Sequence, residues 1–176
     1  MMLIERIEET RLTAQDEAQI AGLMARAFDT DFGGRSYYQQ RHHVRLVTRE
    51  NGKITGHMAL DFRDIRIGDT LMPVAGLAEV ATHPDLRGRG IASHLLSAAI
   101  HEARAMRAQF FLLFGDRPIY AGRGFVAQPN SVTFTALIGA RTGAVQTVAA
   151  SNLMVMQLGD SAWDSSLPVD LLGHKF

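Results

Sequence analysis

Apolar positions recur along this chain with two different periods, and the switches between them mark the elements. Ile20, Leu23, Met24, Ala27 and Phe28 fall at helical spacing and define the buried face of a first helix. Thr13 suits its N-cap, and Asp16 three residues on completes a capping-box-like start. Residues 3–8, ahead of it, can form a first strand. The helix is expected to end near Asp29, with a loop at Gly33-Gly34. Residues 35–43, polar and aromatic with Tyr37 and Tyr38, are expected to form a short irregular helix.

The middle of the chain then changes to strand character. Residues 43–49 and 53–67 flank Asn51-Gly52, the dipeptide favoured by a type I′ hairpin turn. Gly68-Asp69 makes a second reversal, and residues 71–82 return antiparallel, carrying Glu79 to the centre of the molecule. Gly76 and the extended run after it predict a bulge or a splayed strand.

A helix follows over residues 90–107. Its polar stripe (His94, Ser97, His101, Arg104) lies opposite Leu95, Leu96, Ala99, Ala103 and Met106. The stripe is a solvated face. Two histidines seven apart with no third ligand do not make a metal site. Residues 110–114 are wholly apolar, as in a strand covered on both faces. Strands are expected at 131–137 and 152–158, with residues 139–146 as a loop excursion between them. The apolar tail, residues 159–176, is expected to dock on the body.

The junction before the long helix carries the chemistry. Val80-Ala81-Thr82 leads through Pro84-Asp85 into Arg87-Gly88-Arg89-Gly90-Ile91-Ala92 and Ser93. A strand, a glycine turn and a helix N-terminus present unpartnered N–H groups and partial positive charge, which suits an anion. Glycines let a bulky anion approach the backbone, and two arginines add donors matched to phosphate. Pyrophosphate is the natural guest, against the plainer alternative of a solvated loop. Neither the Walker phosphate-loop pattern nor the dinucleotide Gly-x-Gly-x-x-Gly is present.

Arg87-x-x-Gly90-x-Ala92 after a strand resembles the Arg/Gln-x-x-Gly-x-Gly/Ala acyl-CoA signature of the GNAT (Gcn5-related N-acetyltransferase) superfamily. Tyr120-Ala121-Gly122-Arg123-Gly124-Phe125, after the turn at Gly115-Asp116, is similar to that family's Tyr-x-x-x-Gly-Phe. The likeness covers residues 44–127 well and the ends in outline. It implies an α/β (α+β) GNAT fold over one domain, residues 1–176: a mixed, mostly antiparallel sheet of about seven strands flanked by helices, splayed between its two central strands.

The resemblance further implies acetyl-CoA as co-substrate and a primary amine of a small molecule or peptide as acceptor. It assigns the cofactor to the main chain of Val80, Ala81 and Thr82. The phosphates fall to Arg87, Gly88, Arg89, Gly90, Ile91, Ala92 and Ser93. Tyr120 matches the position that protonates the departing thiolate. Glu79 is a candidate for the base, with His83 or a water chain as alternatives, and Asp116 shapes the turn. A non-catalytic acyl-CoA sensor is the alternative from another class, and an aminoglycoside-type acetyltransferase a weaker one.

Composition narrows the classes. At 176 residues, 47% apolar and 20% charged, the chain suits one domain with a sizeable core. Eighteen basic residues balance eighteen acidic ones, so nothing points to nucleic acid or an anionic membrane as partner. There is no cysteine for a disulfide, a thiol nucleophile or a thiolate metal site. No apolar run is long enough to span a membrane, and no signal segment is readable, so a cytoplasmic location is the expectation. The apolar tail would suit a contact with the acceptor pocket or with a second subunit in a homodimer.

Overall fold

The computed structural model describes residues 2–176. Helix α1, Ala14–Ala27, starts from a complete capping box. The Thr13 hydroxyl accepts from the Asp16 N–H at 3.1 Å, and the Asp16 carboxylate accepts from the Thr13 N–H at 3.0 Å. Strand β1, Ile4–Glu8, lies antiparallel to β2, Val44–Glu50. Asn51 and Gly52, both at positive φ, turn β2 into β3, Lys53–Ile67. A second tight turn leads to β4, Thr70–Thr82, which pairs antiparallel with β3 along nearly its whole length. Helix α2, Ile91–Ala105, then crosses back to β5, Phe110–Phe114, parallel to β4. A single turn of helix, α3 (Pro118–Ala121), precedes β6, Val126–Ala127.

The remaining strands are β7 (Ser131–Leu137), β8 (Thr142–Ala149), β9 (Leu153–Gln157) and β10 (Val169–Asp170). They complete a mixed ten-stranded sheet, ordered β6-β9-β5-β4-β3-β10-β7-β8, with β2 and β1 branching from the other half of β3. The long β3 curls, so its first half pairs with β2 and its last residues with β10.

Both faces of the sheet are covered. Ile91, Leu95, Leu96, Ala99 and Ala103 of α2 pack with Phe111 and Leu113 on one face. On the other, Phe110 and Leu112 join Ile65, Val132 and Val169. Helix α1 seals the rest of that side through Ile20, Leu23 and Met24 against Val47, Ile54 and Ala81. The wholly apolar β5 thus divides its side chains between two cores, as a doubly covered strand must.

Several elements depart from the sequence reading. Among the described residues the sheet has ten strands, where about seven were expected. The expected loop at residues 139–146 is largely β8, whose residues are all solvent-exposed. With no buried face it shows no apolar period, and the ladder to β7 holds it. Residues 35–43 form bends rather than a helix, tied down by side chains. The bulge expected at Gly76 or in the extended run after it falls in that run, three residues on, at Glu79. At Gly76 a Cβ would overlap the Phe176 ring, so the glycine seats the tail.

The tail enters the sheet as β10, between β3 and β7. Asn130, fully buried, donates to the carbonyls of Asp164 and Leu167 at 2.9 Å each and accepts from the Trp163 indole at 3.0 Å. Trp163 meets Phe110 edge-on at 5.0 Å. Beyond β10, the Thr135 N–H holds the Gly173 carbonyl at 2.8 Å, and residues 174–176 reach back across the sheet. Among the described residues, no helix is long and apolar enough to cross a membrane.

Candidate active site

The pairing of β3 with β4 breaks at one place. Ala59 faces Ala78 and His57 faces Ala81, so Glu79 and Val80 together stand opposite Met58. Glu79 takes a left-handed φ of 51°, which costs a residue with a Cβ on the order of 1–3 kcal/mol. A bulge leaves main-chain groups outside the ladder and bends its strand. β4 and β5 are paired only from Val74 to Leu77, and beyond that point they part.

A cleft of about 640 Å³ opens where they part. Residues 77–82 of β4 form one wall and residues 113–117 the other. At its outer end lie Arg87, Gly88 and residues 90–93, the start of α2. Gly88 and Gly90 sit at φ 80° and 79°, and Gly90 caps the helix without any side-chain acceptor. The first-turn N–H groups are therefore left for a ligand, and nothing lies within 4 Å of where a Cβ at either glycine would be. Arg87 lines the cleft. Arg89 does not; it pairs with Glu50 at 3.0 Å on the outer side.

Tyr120 reaches the same cleft from α3, placed at its start by Pro118 and only 5% exposed. Burial raises its phenol above the ordinary value; Arg117 opposes this and Asp116 adds to it. The hydroxyl thus stays protonated across the neutral range. Asp116 and Gly115 lie in the opposite wall.

Glu79 heads a buried polar chain. Its Oε1 accepts from the Tyr38 N–H at 2.8 Å, and its Oε2 lies 3.0 Å from His42 Nε2 and 3.7 Å from Arg45. The His42 contact is not aligned as a hydrogen bond, so Oε2 keeps a free lone pair although the side chain is nine-tenths buried. On its far side, His42 Nδ1 meets Asp61 at 3.0 Å. Burial alone would lower the pKa of His42, but the two carboxylates overrule it and hold it at about 9. His42 is therefore an imidazolium. Burial would raise Glu79, yet His42 and the Tyr38 N–H keep it below the usual carboxylate range.

Behind this chain, Arg45 is fully buried and bidentate on Glu9 at 2.7 and 3.0 Å. It also donates to His57 Nε2 at 3.2 Å, which leaves the His57 proton on Nδ1, donated to the Glu79 carbonyl at 2.8 Å. Burial and then Arg45 push His57 down to about 3, so it stays neutral.

A second cleft, of about 280 Å³, adjoins the first and shares Phe28, Ala78, Glu79 and Phe176 with it. Its own walls include Phe32, Tyr38, His42, His174 and Lys175. The rings of Phe28, Phe32 and Tyr38 follow one another at 5.3 and 5.4 Å. The Lys175 ammonium lies over Phe114 and Phe134 at 4.8 and 4.4 Å.

A splayed sheet with a glycine-capped helix at its mouth is one fold's arrangement, and comparison with known proteins decides which. The family model described as an acetyltransferase (GNAT) domain matches residues 9–127. The chain belongs to the GNAT acetyltransferase family. Two solved GNAT structures share its fold at 18% identity. One is a GNAT family acetyltransferase from Brucella melitensis in complex with acetyl-CoA, with a TM-score of 0.61 over 94% of this chain and 95% of that one. The other is a GNAT N-acetyltransferase from Escherichia coli in complex with CoA, with a TM-score of 0.64 over 96% and 88%. The chain is also 32% identical over 109 residues to nodulation protein A of Rhizobium leguminosarum bv. viciae, covering 56% of this chain and 50% of that protein. It spans about half the length of that curated relative.

Within this GNAT domain, most of the residues singled out in the sequence meet at one cleft. Glu79, Val80, Ala81, Thr82, Arg87, Gly88, Gly90, Ile91, Ala92, Ser93 and Tyr120 all line it. His83 lines neither cleft; it caps the turn after β4, 3.0 Å from Arg26. Sequence reasoning singled out none of His42, Asp61, His57 and the tail residues 174–176 as individual site residues, although the tail was expected to reach the acceptor pocket or a second subunit. No motif marks them, because they come together only through the curl of β3 and the return of the tail.

Proposed function

We propose that this protein is an acetyl-CoA-dependent N-acetyltransferase that transfers the acetyl group directly to the primary amine of a small molecule or peptide. The observation that carries this is the splay at the Glu79 bulge, bounded by a helix start that has no side-chain cap and lined by a buried phenol. Arg87 and the N–H groups of residues 88–93 would hold the diphosphate. Main-chain groups of Val80, Ala81 and Thr82 would align the pantetheine arm and polarise the thioester carbonyl. Tyr120, protonated at neutral pH, supplies a proton to the departing thiolate.

The smaller cleft is the natural place for the acceptor, since it meets the larger one at Glu79. A carboxylate held low and beside an imidazolium is a weak base. Its negative charge, at the meeting of the two clefts, suits a different task, attracting and orienting the acceptor ammonium. Glu79 thus binds and aims the amine. A polycation such as an aminoglycoside finds little counter-charge there, because Glu79 is already matched by His42 and Lys175 adds positive charge.

The test is thermal stability with acetyl-CoA, set against ATP and NAD. A ligand at 100 times its Kd adds about 2.7 kcal/mol. Gly90→Glu places a carboxylate where phosphate would sit; there is room for the Cβ, but φ 79° strains any side chain, so Gly90→Ala is run beside it to separate strain from charge. A shift with acetyl-CoA that Gly90→Glu removes supports the cofactor site, and thiol release with an amine panel then tests turnover. Binding with no thiol release from any amine would favour a non-catalytic acyl-CoA sensor.

A further inference from the structure

Resting on that reading, we propose that His174 takes the proton from the acceptor ammonium. His174 lines the smaller cleft together with Glu79 and Phe176, two of the four residues that also line the larger one. Its position is set by the main chain. Arg63 donates to the His174 carbonyl and stacks on the Phe176 ring at 4.0 Å, while Thr135 holds Gly173. Among the described residues, the imidazole itself has no hydrogen-bond partner, so both ring nitrogens remain available.

The other candidates are each occupied. Glu79 is ionised and held low, and His42 already carries its proton between two carboxylates. His57 is sealed under Arg45, with its ring nitrogens spent on Arg45 and the Glu79 carbonyl. His83 lies outside both clefts.

The charges around His174 suit a base. Burial pushes it below the ordinary histidine value; Arg63 of β3 and the His42 imidazolium add to this, and Asp61 of β3 pulls the other way. Glu79 of β4 and Lys175 of the tail also line the cleft. At neutral pH the imidazole is unprotonated. The same cations lower the pKa of an ammonium entering the cleft, easing the transfer.

The step balances as follows. A ring nitrogen of His174 accepts one proton from R–NH3+, giving R–NH2 and an imidazolium that later releases the proton to solvent. The amine lone pair attacks the thioester carbonyl carbon, the C–N bond forms and the C–S bond breaks. Tyr120 protonates the thiolate, and the second amine proton returns to the phenolate. The products are R–NH–CO–CH3, CoA thiol and one proton.

The experiment compares wild type with His174→Ala, using whichever of phenethylamine, spermidine, lysine amide and an alanyl peptide releases thiol fastest from acetyl-CoA. The expected kcat/KM is about 100-fold lower in His174→Ala, within the range for general-base loss. The wild-type acid limb, below about pH 6.5, should vanish from the variant, and added imidazole should restore part of the rate, with the acetyl-CoA thermal shift unchanged. An unaltered rate and pH profile with that shift intact would overturn the base role and leave the acetyltransferase reading standing. No thiol release from wild type with any of the amines would remove both. Should His174→Ala lose the shift, histidine NMR titration of the wild type decides: a His174 signal titrating below 6.5 supports the role, and one titrating above 7 overturns it.

Discussion

His57 donates its Nδ1–H to the main-chain carbonyl of Glu79 at 2.8 Å, pinning the left-handed residue around which β4 bulges. The bond exists because Arg45 occupies the other ring nitrogen and fixes the tautomer. A strained backbone position thus rests on a buried arginine anchored by Glu9, and the carboxylate of the same residue is steered by His42. The bulge, the splay and the meeting of the two clefts share this one support.

Tyr120 contributes chemistry more than binding if it serves as the acid. Tyr120→Phe keeps the ring packed against Phe125 and removes only the hydroxyl. Turnover is expected to fall about 100-fold with Kd for acetyl-CoA changed less than about threefold. Steady-state kinetics beside a binding titration checks it, and an unchanged kcat would remove the hydroxyl from the mechanism.

Two buried histidines set opposite pH slopes on stability. His42 has a folded value of about 9 against an ordinary 6.5, so its contribution is complete below about pH 6.5 and is lost as pH rises towards 9. The change is roughly 3 kcal/mol. His57, held neutral down to about 3, has the reverse effect: the unfolded chain takes up a proton below 6.5, and stability falls as pH drops towards 3. A maximum in melting temperature is expected near pH 6–7. His42→Gln should flatten the alkaline side and lower the maximum, because it strands Asp61 and Glu79 without their cation.

Asn130 governs the tail. Asn130→Ala strands two carbonyls and the Trp163 indole N–H, at a cost of about 2–3 kcal/mol. The melting temperature should drop by roughly 5–10 °C. Hydrogen exchange should quicken over residues 163–176, and KM for the amine should rise more than Kd for acetyl-CoA, because the tail lines the smaller cleft, proposed for the acceptor, more than the larger one. Equal losses at both clefts would refute this division.

Local chemistry was legible in the chain itself. The Thr13–Asp16 box, the Asn51-Gly52 turn, the two-faced α2 and the apolar β5 depend on neighbours a few residues away, and their residue types dictate them. The glycine turn proposed to hold phosphate is of the same kind, since a left-handed Gly90 and a helix start are local facts. Tertiary structure decided the rest. β8 shows no period because no face of it is buried, and the need for glycine at 76 comes from the Phe176 ring packed over it. Glu79 was visible as a carboxylate on the central strand, but its charge state was not. That depends on His42, 37 positions earlier in the chain. Residues 42, 61, 79 and 174 become neighbours only when β3 curls and the tail threads between β3 and β7, and no periodicity along a chain records such a meeting.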